Sequence, residues 1–163
     1  MNLRSVSLTN FVDLSLSEKS MILSWRNNEN VRKWMYNAEI ISIEGHISFI
    51  KKLKEEKTKE YYLVSDREGY IGVIYFVNLD IISKTVEFGL YANPDINGKG
   101  KILMDAISEY CFERLHMHKI IAEVLIENSK AIHLYHYYGF QKVYDGLINK
   151  KKIMRLELKN ENR

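Results

Sequence analysis

Apolar residues follow two spacings along this chain, and each spacing predicts a type of secondary structure. Between Ile43 and Leu53 an apolar residue recurs at intervals of four, three and three, which is typical of one face of a helix. Ser42 precedes this stripe and can cap the helix through its hydroxyl. Residues 61–65 and 70–77 are instead rich in aromatic and β-branched residues, and the glycine-containing turn between them predicts a hairpin.

The other elements follow from the same spacings. Further strands are predicted over residues 3–10, 85–92, 119–126, 140–144 and 152–158. Further helices are predicted after a cap at Ser15 or Ser17, over residues 31–36, from Gly100 onward, and over residues 129–138. We therefore expect an α/β (α+β) fold, with a mixed central sheet of about seven strands and helices on both faces.

Length and composition indicate one domain over residues 1–163. The chain is 46% apolar and contains one proline, with no glycine- or serine-rich linker. A formal charge of +3 is too small to indicate a nucleic-acid partner. Cys111, the only cysteine, is expected to be a small buried side chain. No apolar run reaches the roughly 18 residues of a membrane span, so we expect no membrane contact and a cytoplasmic protein.

One stretch carries a candidate binding site. The predicted strand over residues 85–92 ends before Pro94, and Gly98-Lys99-Gly100 then leads into a helix. A glycine turn at a helix N-terminus directs several N–H groups at one point, where the helix dipole also favours an anion. Lys99 and Lys101 add positive charge. This stretch predicts a site for a phosphate group.

Two common phosphate-binding motifs are excluded by single positions. A dinucleotide fingerprint requires glycine or alanine where this chain has Leu103. A Walker loop requires serine or threonine after Gly-Lys, where this chain has Ile102. The ligand is therefore expected to be of another phosphate-bearing class.

Two motifs in order resemble the GCN5-related N-acetyltransferase (GNAT) family. Asn97, Gly100 and Ile102 fall on the family's acetyl-CoA loop, Gln/Arg-x-x-Gly-x-Gly/Ala, of which only Gly100 matches strictly. Residues 128–140 match the family's second signature, Asn-x-x-Ala-x-x-Leu-Tyr-x-x-x-Gly-Phe. The resemblance covers about residues 61–144, and on it the chain is identified as a member of the family. The alternative for the loop alone is an ordinary strand-to-helix turn.

The resemblance implies acetyl-CoA as co-substrate, held where the strands over residues 85–92 and 119–126 splay apart. The peptide N–H of Leu90 would polarise the thioester carbonyl. The departures at Asn97 and Ile102 affect the side-chain part of the pyrophosphate contact and leave the backbone part intact. The implied cofactor-binding residues are Leu90, Tyr91, Ala92, Asn97, Gly98, Lys99, Gly100, Lys101, Ile102 and Asn128.

Three residues are candidates for the chemistry. The acceptor amine must lose a proton, and the resemblance favours Glu87 as the base. Glu123, a carboxylate inside an apolar strand, is the rival, and a chain of waters is the third alternative. Tyr135 matches the family's acid, which protonates the departing thiolate; the alternative is a core aromatic residue. Four histidines occur in two close pairs without a completing carboxylate or cysteine, so we expect no metal.

The acceptor is indicated by the N-terminal half. Its Trp-Arg-Asn and Trp-Met-Tyr segments resemble the GNAT enzymes of pseudaminic acid biosynthesis, which acetylate the 4-amine of UDP-4-amino-4,6-dideoxy-N-acetyl-altrosamine for flagellin glycosylation. The implied substrate-binding residues are Arg26, Met35, Tyr36, His46 and Phe49. The alternatives are core packing for these residues, a protein N-terminal acetyltransferase of the ribosomal-protein type, or a non-catalytic acetyl-CoA-binding module. A homodimer is also compatible with the family.

Overall fold

The computed structural model describes residues 1–163, which form one mixed seven-stranded sheet. Its strands are β1 (Ser7–Asn10), β2 (Glu60–Asp66), β3 (Gly69–Asp80), β4 (Thr85–Ala92), β5 (Lys119–Leu125), β6 (Gln141–Ile148) and β7 (Lys151–Lys159). Their order across the sheet is β1-β2-β3-β4-β5-β7-β6. Only β4 and β5 run parallel; every other neighbouring pair is antiparallel. The predicted sheet of about seven strands is confirmed.

Helices cover both faces of this sheet. They are α1 (Leu16–Asn27), α2 (Glu29–Arg32), α3 (Ile43–Leu53), α4 (Gly100–Ser108), continued by a π-helical turn (Glu109–Arg114), and α5 (Ser129–Tyr137). A core of 25 buried residues, Cys111 among them, lies between the sheet and α4 and α5. A second core of 10 buried residues lies on the opposite face, under α1 to α3. None of the helices combines the length and the apolarity that crossing a bilayer requires.

Local capping explains where the N-terminal helices begin. The Ser15 hydroxyl accepts from the Glu18 N–H, and the Glu18 carboxylate accepts from the Ser15 N–H, which completes a capping box. Ser42 caps α3 by accepting from the N–H of Gly45. Asn28 ends α1 and also caps α2. The predicted helix starts at Ser15 and Ser42 are confirmed.

Several predicted boundaries were wrong. The first strand begins at residue 7 rather than 3, because residues 1–6 fold back and Asn2 bridges to Ser7. The second helix spans Glu29–Arg32 rather than residues 31–36. The strand predicted over residues 140–144 runs on to Ile148, because a two-residue turn of positive φ at Asn149 and Lys150 pairs it with β7.

The division of the sheet between β4 and β5 positions the site. These strands pair at four positions, from Thr85 to Phe88 opposite Lys119 to Ala122. Beyond Phe88, β4 continues to Ala92, and β5 continues to Leu125, without pairing between them. The two parallel strands therefore diverge toward their C-terminal ends and leave an open edge on each.

Candidate active site

Peptide groups of β4 face the opening between the two strands. The Asn93 N–H donates to the Ile71 carbonyl at 2.8 Å, so Asn93 directs its backbone toward β3. In an antiparallel ladder the direction alternates, and the β3–β4 register therefore turns Tyr91 toward β3 as well. The peptide groups of Leu90 and Ala92 then point into the opening. Of the three predicted backbone contacts, Leu90 and Ala92 have the required direction and Tyr91 does not.

The glycine loop presents a row of free backbone donors. The N–H groups of residues 97–102 make no hydrogen bond to the protein. Gly98 has φ of +73°, a left-handed conformation that glycine adopts without strain, and α4 begins at Gly100 with no side-chain cap. Lys99 lies 3.8 Å from Glu68, and the Lys101 ammonium lies 4.0 Å from the ring centre of Tyr137. The arrangement suits an anion that replaces the missing acceptors.

The start of α4 lies against α5. A Cβ placed on Gly100 would stand 3.2 Å from Leu134 Cδ2, so the absence of a side chain at Gly100 permits this approach. Asn128 caps α5 by accepting from the Ala131 N–H at 3.3 Å. Its side-chain oxygen is therefore used in the fold, and its predicted role in cofactor binding stays a prediction.

Tyr135 approaches the opening from the α5 side of the sheet. Its ring packs edge-on against Phe88, with 5.6 Å between ring centres, and at 5.7 Å from Phe140. The side chain is 6% exposed, and its hydroxyl makes no hydrogen bond to the protein. Burial raises the pKa of the Tyr135 phenol well above its usual range, and the nearby Tyr75 phenol adds to the rise. The hydroxyl is therefore protonated and available to a ligand.

Two carboxylates lie on the face of the sheet opposite to Tyr135, with one arginine between them. Glu87 lies on β4 and Glu123 on β5, each out of phase with the residues of the larger core. Arg155 of β7 places Nη1 at 3.3 Å from Glu87 Oε1 and at 3.8 Å from Glu123 Oε2. All three side chains are about four-fifths buried. Arg155 thus pairs closely with Glu87 and more loosely with Glu123.

The surroundings of Glu123 alter its proton affinity. Burial raises its pKa above the ordinary 4.5, the Glu87 charge raises it further, and Arg155 partly offsets both effects. The Tyr36 hydroxyl lies 3.5 Å from Glu123 Oε1, at the outer limit for a hydrogen bond. Glu123 is thus a largely buried carboxylate beside the opening, with one loose protein partner on each side.

Aromatic side chains continue this face away from the carboxylates. Tyr75 lies opposite Gly89 on β4, and a Cβ on Gly89 would stand 2.0 Å from Tyr75 Cζ. The Tyr75 ring therefore crosses β4 in the space that Gly89 leaves. It stacks on Tyr61 at 4.9 Å and 6°, and Phe49 meets Tyr61 edge-on at 5.0 Å. The result is an apolar wall beside Glu87 and Glu123.

The remaining predicted substrate residues have different surroundings. Met35 packs against the smaller core next to this wall. Arg26 donates from Nη2 to the Asn37 carbonyl at 3.0 Å, while its buried Nη1 has no partner. His46 is 5% exposed between α3 and α1, with Nε2 at 3.0 Å from the Lys19 carbonyl. Met35 and Phe49 thus pack against the same core, and Tyr36 reaches Glu123. The ring of His46 is instead engaged by the Lys19 carbonyl.

The sequence analysis missed three residues of this site, Arg155, Tyr61 and Tyr75. Arg155 is a cation flanked by the apolar residues Met154 and Leu156 of β7. It shares one face of the strand with Ile153 and Glu157, and this alternation could have identified it. Tyr75 had no such signal, because its place depends on the strand register that sets it opposite Gly89.

Comparison with known proteins agrees with this geometry. A family model described as "Acetyltransferase (GNAT) domain" matches residues 10–141. The chain is 41% identical over 140 residues to the acetyltransferase PseH of Campylobacter jejuni (strain 81-176), covering 86% of this chain and 87% of that protein. It is 27% identical over 130 residues to the spermidine N(1)-acetyltransferase of Vibrio cholerae, covering 78% and 75%.

Solved structures share the fold. The crystal structure of C. jejuni N-acetyltransferase PseH in complex with acetyl coenzyme A matches with a TM-score of 0.79 and 35% identity, over 95% of this chain and 99% of that chain. Spermidine N-acetyltransferase from V. cholerae, in complex with CoA and spermine, matches with a TM-score of 0.85 at 22% identity, over 98% of both chains. The second likeness concerns the fold alone.

Proposed function

The chain belongs to the GNAT acetyltransferase family, and we propose that it acetylates the 4-amine of UDP-4-amino-4,6-dideoxy-N-acetyl-altrosamine. The observation that carries the proposal is the opening between β4 and β5, which has free peptide donors along one edge, Tyr135 on one face and the Glu87–Glu123 pair on the other. The likeness to PseH spans the acceptor side as well as the loop, since it covers 86% of the chain. The product would enter pseudaminic acid biosynthesis for flagellin glycosylation in the cytoplasm.

Acetyl-CoA supplies the activated acetyl group as a thioester. Its pyrophosphate suits the N–H groups of residues 97–102, which have no acceptor within the protein. The open edge of β4 at Leu90 and Ala92 suits the amide-bearing arm, which can pair with it as an added strand. The Leu90 N–H is placed to stabilise negative charge on the thioester oxygen. Lys99 and Lys101 supply positive charge near the phosphates.

Glu123 is the better candidate for the base, although the family resemblance favoured Glu87. Glu87 is engaged by Arg155 at 3.3 Å, so one of its oxygens is already held in an ion pair. Glu123 is held more loosely, at 3.8 Å, and its pKa is raised toward the range in which a carboxylate accepts a proton efficiently. Glu87 then serves to hold Arg155 and to keep the pKa of Glu123 high.

Tyr135 assists the departing sulfur as a hydrogen-bond donor. Because its pKa lies well above that of an ordinary thiol, about 8.5, full proton transfer from the phenol to a thiolate would be uphill. A hydrogen bond from the neutral phenol stabilises the thiolate without that cost. The hydroxyl has no competing protein partner, so it is free to make this bond.

The wall beside Glu123 suits a deoxysugar. The rings of Tyr61, Tyr75 and Phe49, with Met35, offer apolar surface to a sugar face that lacks a hydroxyl. Arg26 has one buried guanidinium nitrogen without a partner, which is suited to a diphosphate oxygen. We keep His46 outside the proposed contact set because its ring is engaged with Lys19.

The test is coenzyme A release from acetyl-CoA with three acceptors: the UDP-4-amino sugar, peptides with free N-termini, and spermidine. Release with the sugar alone is expected. Release with peptide or spermidine alone would overturn the acceptor while leaving the acetyltransferase assignment intact. Acetyl-CoA binding without release from any acceptor, including in the presence of sugar, would favour the non-catalytic module.

A further inference from the structure

The acceptor loop, defined as residues 33–42 between α2 and α3, is fixed to the molecule by side chains that bind its backbone. Three of these contacts come from the adjoining helices. Arg26 donates to the Asn37 carbonyl at 3.0 Å, and Arg32 donates to the Ala38 carbonyl at 3.0 Å. Asn27 binds both the N–H and the carbonyl of Ile41, at 2.8 and 2.9 Å. All three contacts hold the later part of the loop.

The earlier part of the loop is held from across the site. The Lys151 ammonium donates to the Met35 carbonyl at 3.1 Å and to the Tyr36 carbonyl at 3.2 Å. Lys151 is the first residue of β7 and follows the tight turn at Asn149 and Lys150. It therefore connects the β6–β7 hairpin near the C-terminus to a loop from the N-terminal part of the chain.

No other strong polar contact joins the acceptor loop to strands β5, β6 and β7. The remaining contact is the Tyr36 hydroxyl at 3.5 Å from Glu123, which is at the limit of hydrogen bonding. Two charge-assisted bonds from one half-buried ammonium are stronger than this contact. The Met35 N–H is bound to the Arg32 carbonyl at 3.0 Å, whereas the Met35 and Tyr36 carbonyls are held over the site by Lys151.

We propose that Lys151 is a positioning residue for the acceptor: by fixing the Met35 and Tyr36 carbonyls, it holds these two side chains over the carboxylate face. The role rests on the proposed function, in which Met35 and Tyr36 line the acceptor site. Lys151 lies on the acceptor side only, since neither of its bonds involves β4 or the glycine loop. Loss of the Lys151 ammonium should weaken binding of the acceptor and leave binding of acetyl-CoA unchanged.

Removal of the ammonium would leave two carbonyls without a donor. The three contacts from α1 and α2 would still hold residues 37–41, so the loop would open at Met35 and Tyr36 rather than unfold. Arginine can also donate to two carbonyls and should restore much of the contact. Lys152 provides a matched control, because it is exposed and its side chain makes no hydrogen bond or ion pair.

The first experiment is amide hydrogen exchange in the full chain. Lys151→Met is expected to speed exchange about tenfold at the amides of Trp34 and Met35, which donate to the Val31 and Arg32 carbonyls. This change is equivalent to about 1.4 kcal/mol of lost local stability. Lys152→Met should leave these amides unchanged, and Lys151→Arg should restore most of the protection. Unchanged exchange in Lys151→Met, or equal acceleration in Lys152→Met, would overturn the proposal. This measurement needs no acceptor, so it decides on Lys151 even if the proposed substrate is wrong.

The second experiment separates the two substrates. In Lys151→Met the KM for the UDP-amino sugar should rise about tenfold, while the KM for acetyl-CoA stays within about twofold. A general loss of fold would instead lower the apparent kcat and leave both KM values unchanged, and that result would count against a positioning role. Absence of turnover in the unmodified enzyme with this sugar would instead count against the proposed function, while the exchange data would still test Lys151.

Discussion

At the scale of single residues, the carboxylate pair makes a prediction about pH. The base must be ionised, so kcat/KM should rise with pH through the pKa of Glu123, which lies above 4.5. Glu87→Gln removes a like charge and frees Arg155 to approach Glu123, so it lowers that pKa and moves the acidic limb to lower pH. Arg155→Met removes the nearby cation, so it raises the pKa and moves the limb to higher pH.

The measurement is kcat/KM against pH for both variants and for Lys159→Met, a control that removes an exposed cation from the same strand. The control should leave the acidic limb of the kcat/KM profile at the same pH. Glu123→Gln should lower kcat by about a hundredfold or more. If instead Glu87→Gln abolishes turnover and Glu123→Gln retains it, Glu87 is the base.

A second prediction concerns the phenol of Tyr135. Tyr135→Phe should lower kcat about a hundredfold, because it removes a donor to charge that forms during transfer. The affinity for acetyl-CoA and the melting temperature should hardly change, since this hydroxyl makes no hydrogen bond within the protein. Calorimetric binding, turnover and thermal melting measure these three quantities.

Tyr138→Phe is the matched control for that variant. The Tyr138 hydroxyl donates to the Lys101 carbonyl at 2.9 Å and lies 2.6 Å from Asp105 Oδ1. Its removal should lower the free energy of unfolding by about 1 kcal/mol and should change kcat little. Equal loss of turnover in the two variants would argue against a specific role for Tyr135.

At the scale of elements, the close approach of β3 and β4 predicts a coupled pair. Gly89→Ala should lower the free energy of unfolding by about 1–3 kcal/mol, because its Cβ would overlap the Tyr75 ring, which stacking on Tyr61 holds in place. In a Tyr75→Ala background the same change should cost little. Urea unfolding of the four proteins measures the coupling, and additive costs would contradict it.

The elements that the sequence predicted well are those decided by local chemistry. The strand over residues 85–92 is reproduced with both ends, because β-branched and aromatic residues run up to Pro94. The capping box at Ser15 depends only on Glu18, three residues away. Such signals require no knowledge of the rest of the fold.

The element boundaries that were predicted wrongly depend on partners that are distant in sequence. The second helix ends at Arg32 because the carbonyls that follow bind side chains of other elements, among them Lys151. The extension of β6 to Ile148 depends on a turn at Asn149 and Lys150, which lacks the glycine that usually marks it.

The same distinction applies to the site. Glu123 was identified by a local anomaly, a carboxylate within an apolar strand. Arg155 and Lys151 belong to a strand whose neighbours are far away in sequence, so their contacts with Glu87 and Met35 could not be read from spacing. The preference for Glu123 over Glu87 rests on the unequal distances to Arg155 and on the raised pKa of Glu123, and both depend on the folded structure.

At the scale of the whole molecule, the sheet has two halves joined by few pairs. Strands β1 to β4 form one half and β5 to β7 the other, and four residue pairs link them. A ligand that fills the opening adds contacts to both halves and binds only the folded chain. At a hundredfold excess over Kd, acetyl-CoA should therefore stabilise the fold by about 2.7 kcal/mol and raise Tm by about 5–10 °C.

The location of this stabilisation tests the proposed binding mode. Hydrogen exchange with acetyl-CoA should slow at Leu90 and Ala92, whose peptide groups face the opening, as well as in the glycine loop. Adenosine 3′,5′-bisphosphate, which lacks the amide-bearing arm, should protect the loop and leave Leu90 and Ala92 unchanged. Equal protection of β4 by both compounds would mean that loop binding alone tightens the sheet, and the arm would then need no pairing with β4. Protection of neither segment would contradict this binding mode. The opening between β4 and β5 is the one place where two parallel strands diverge next to the free N–H groups of a helix N-terminus.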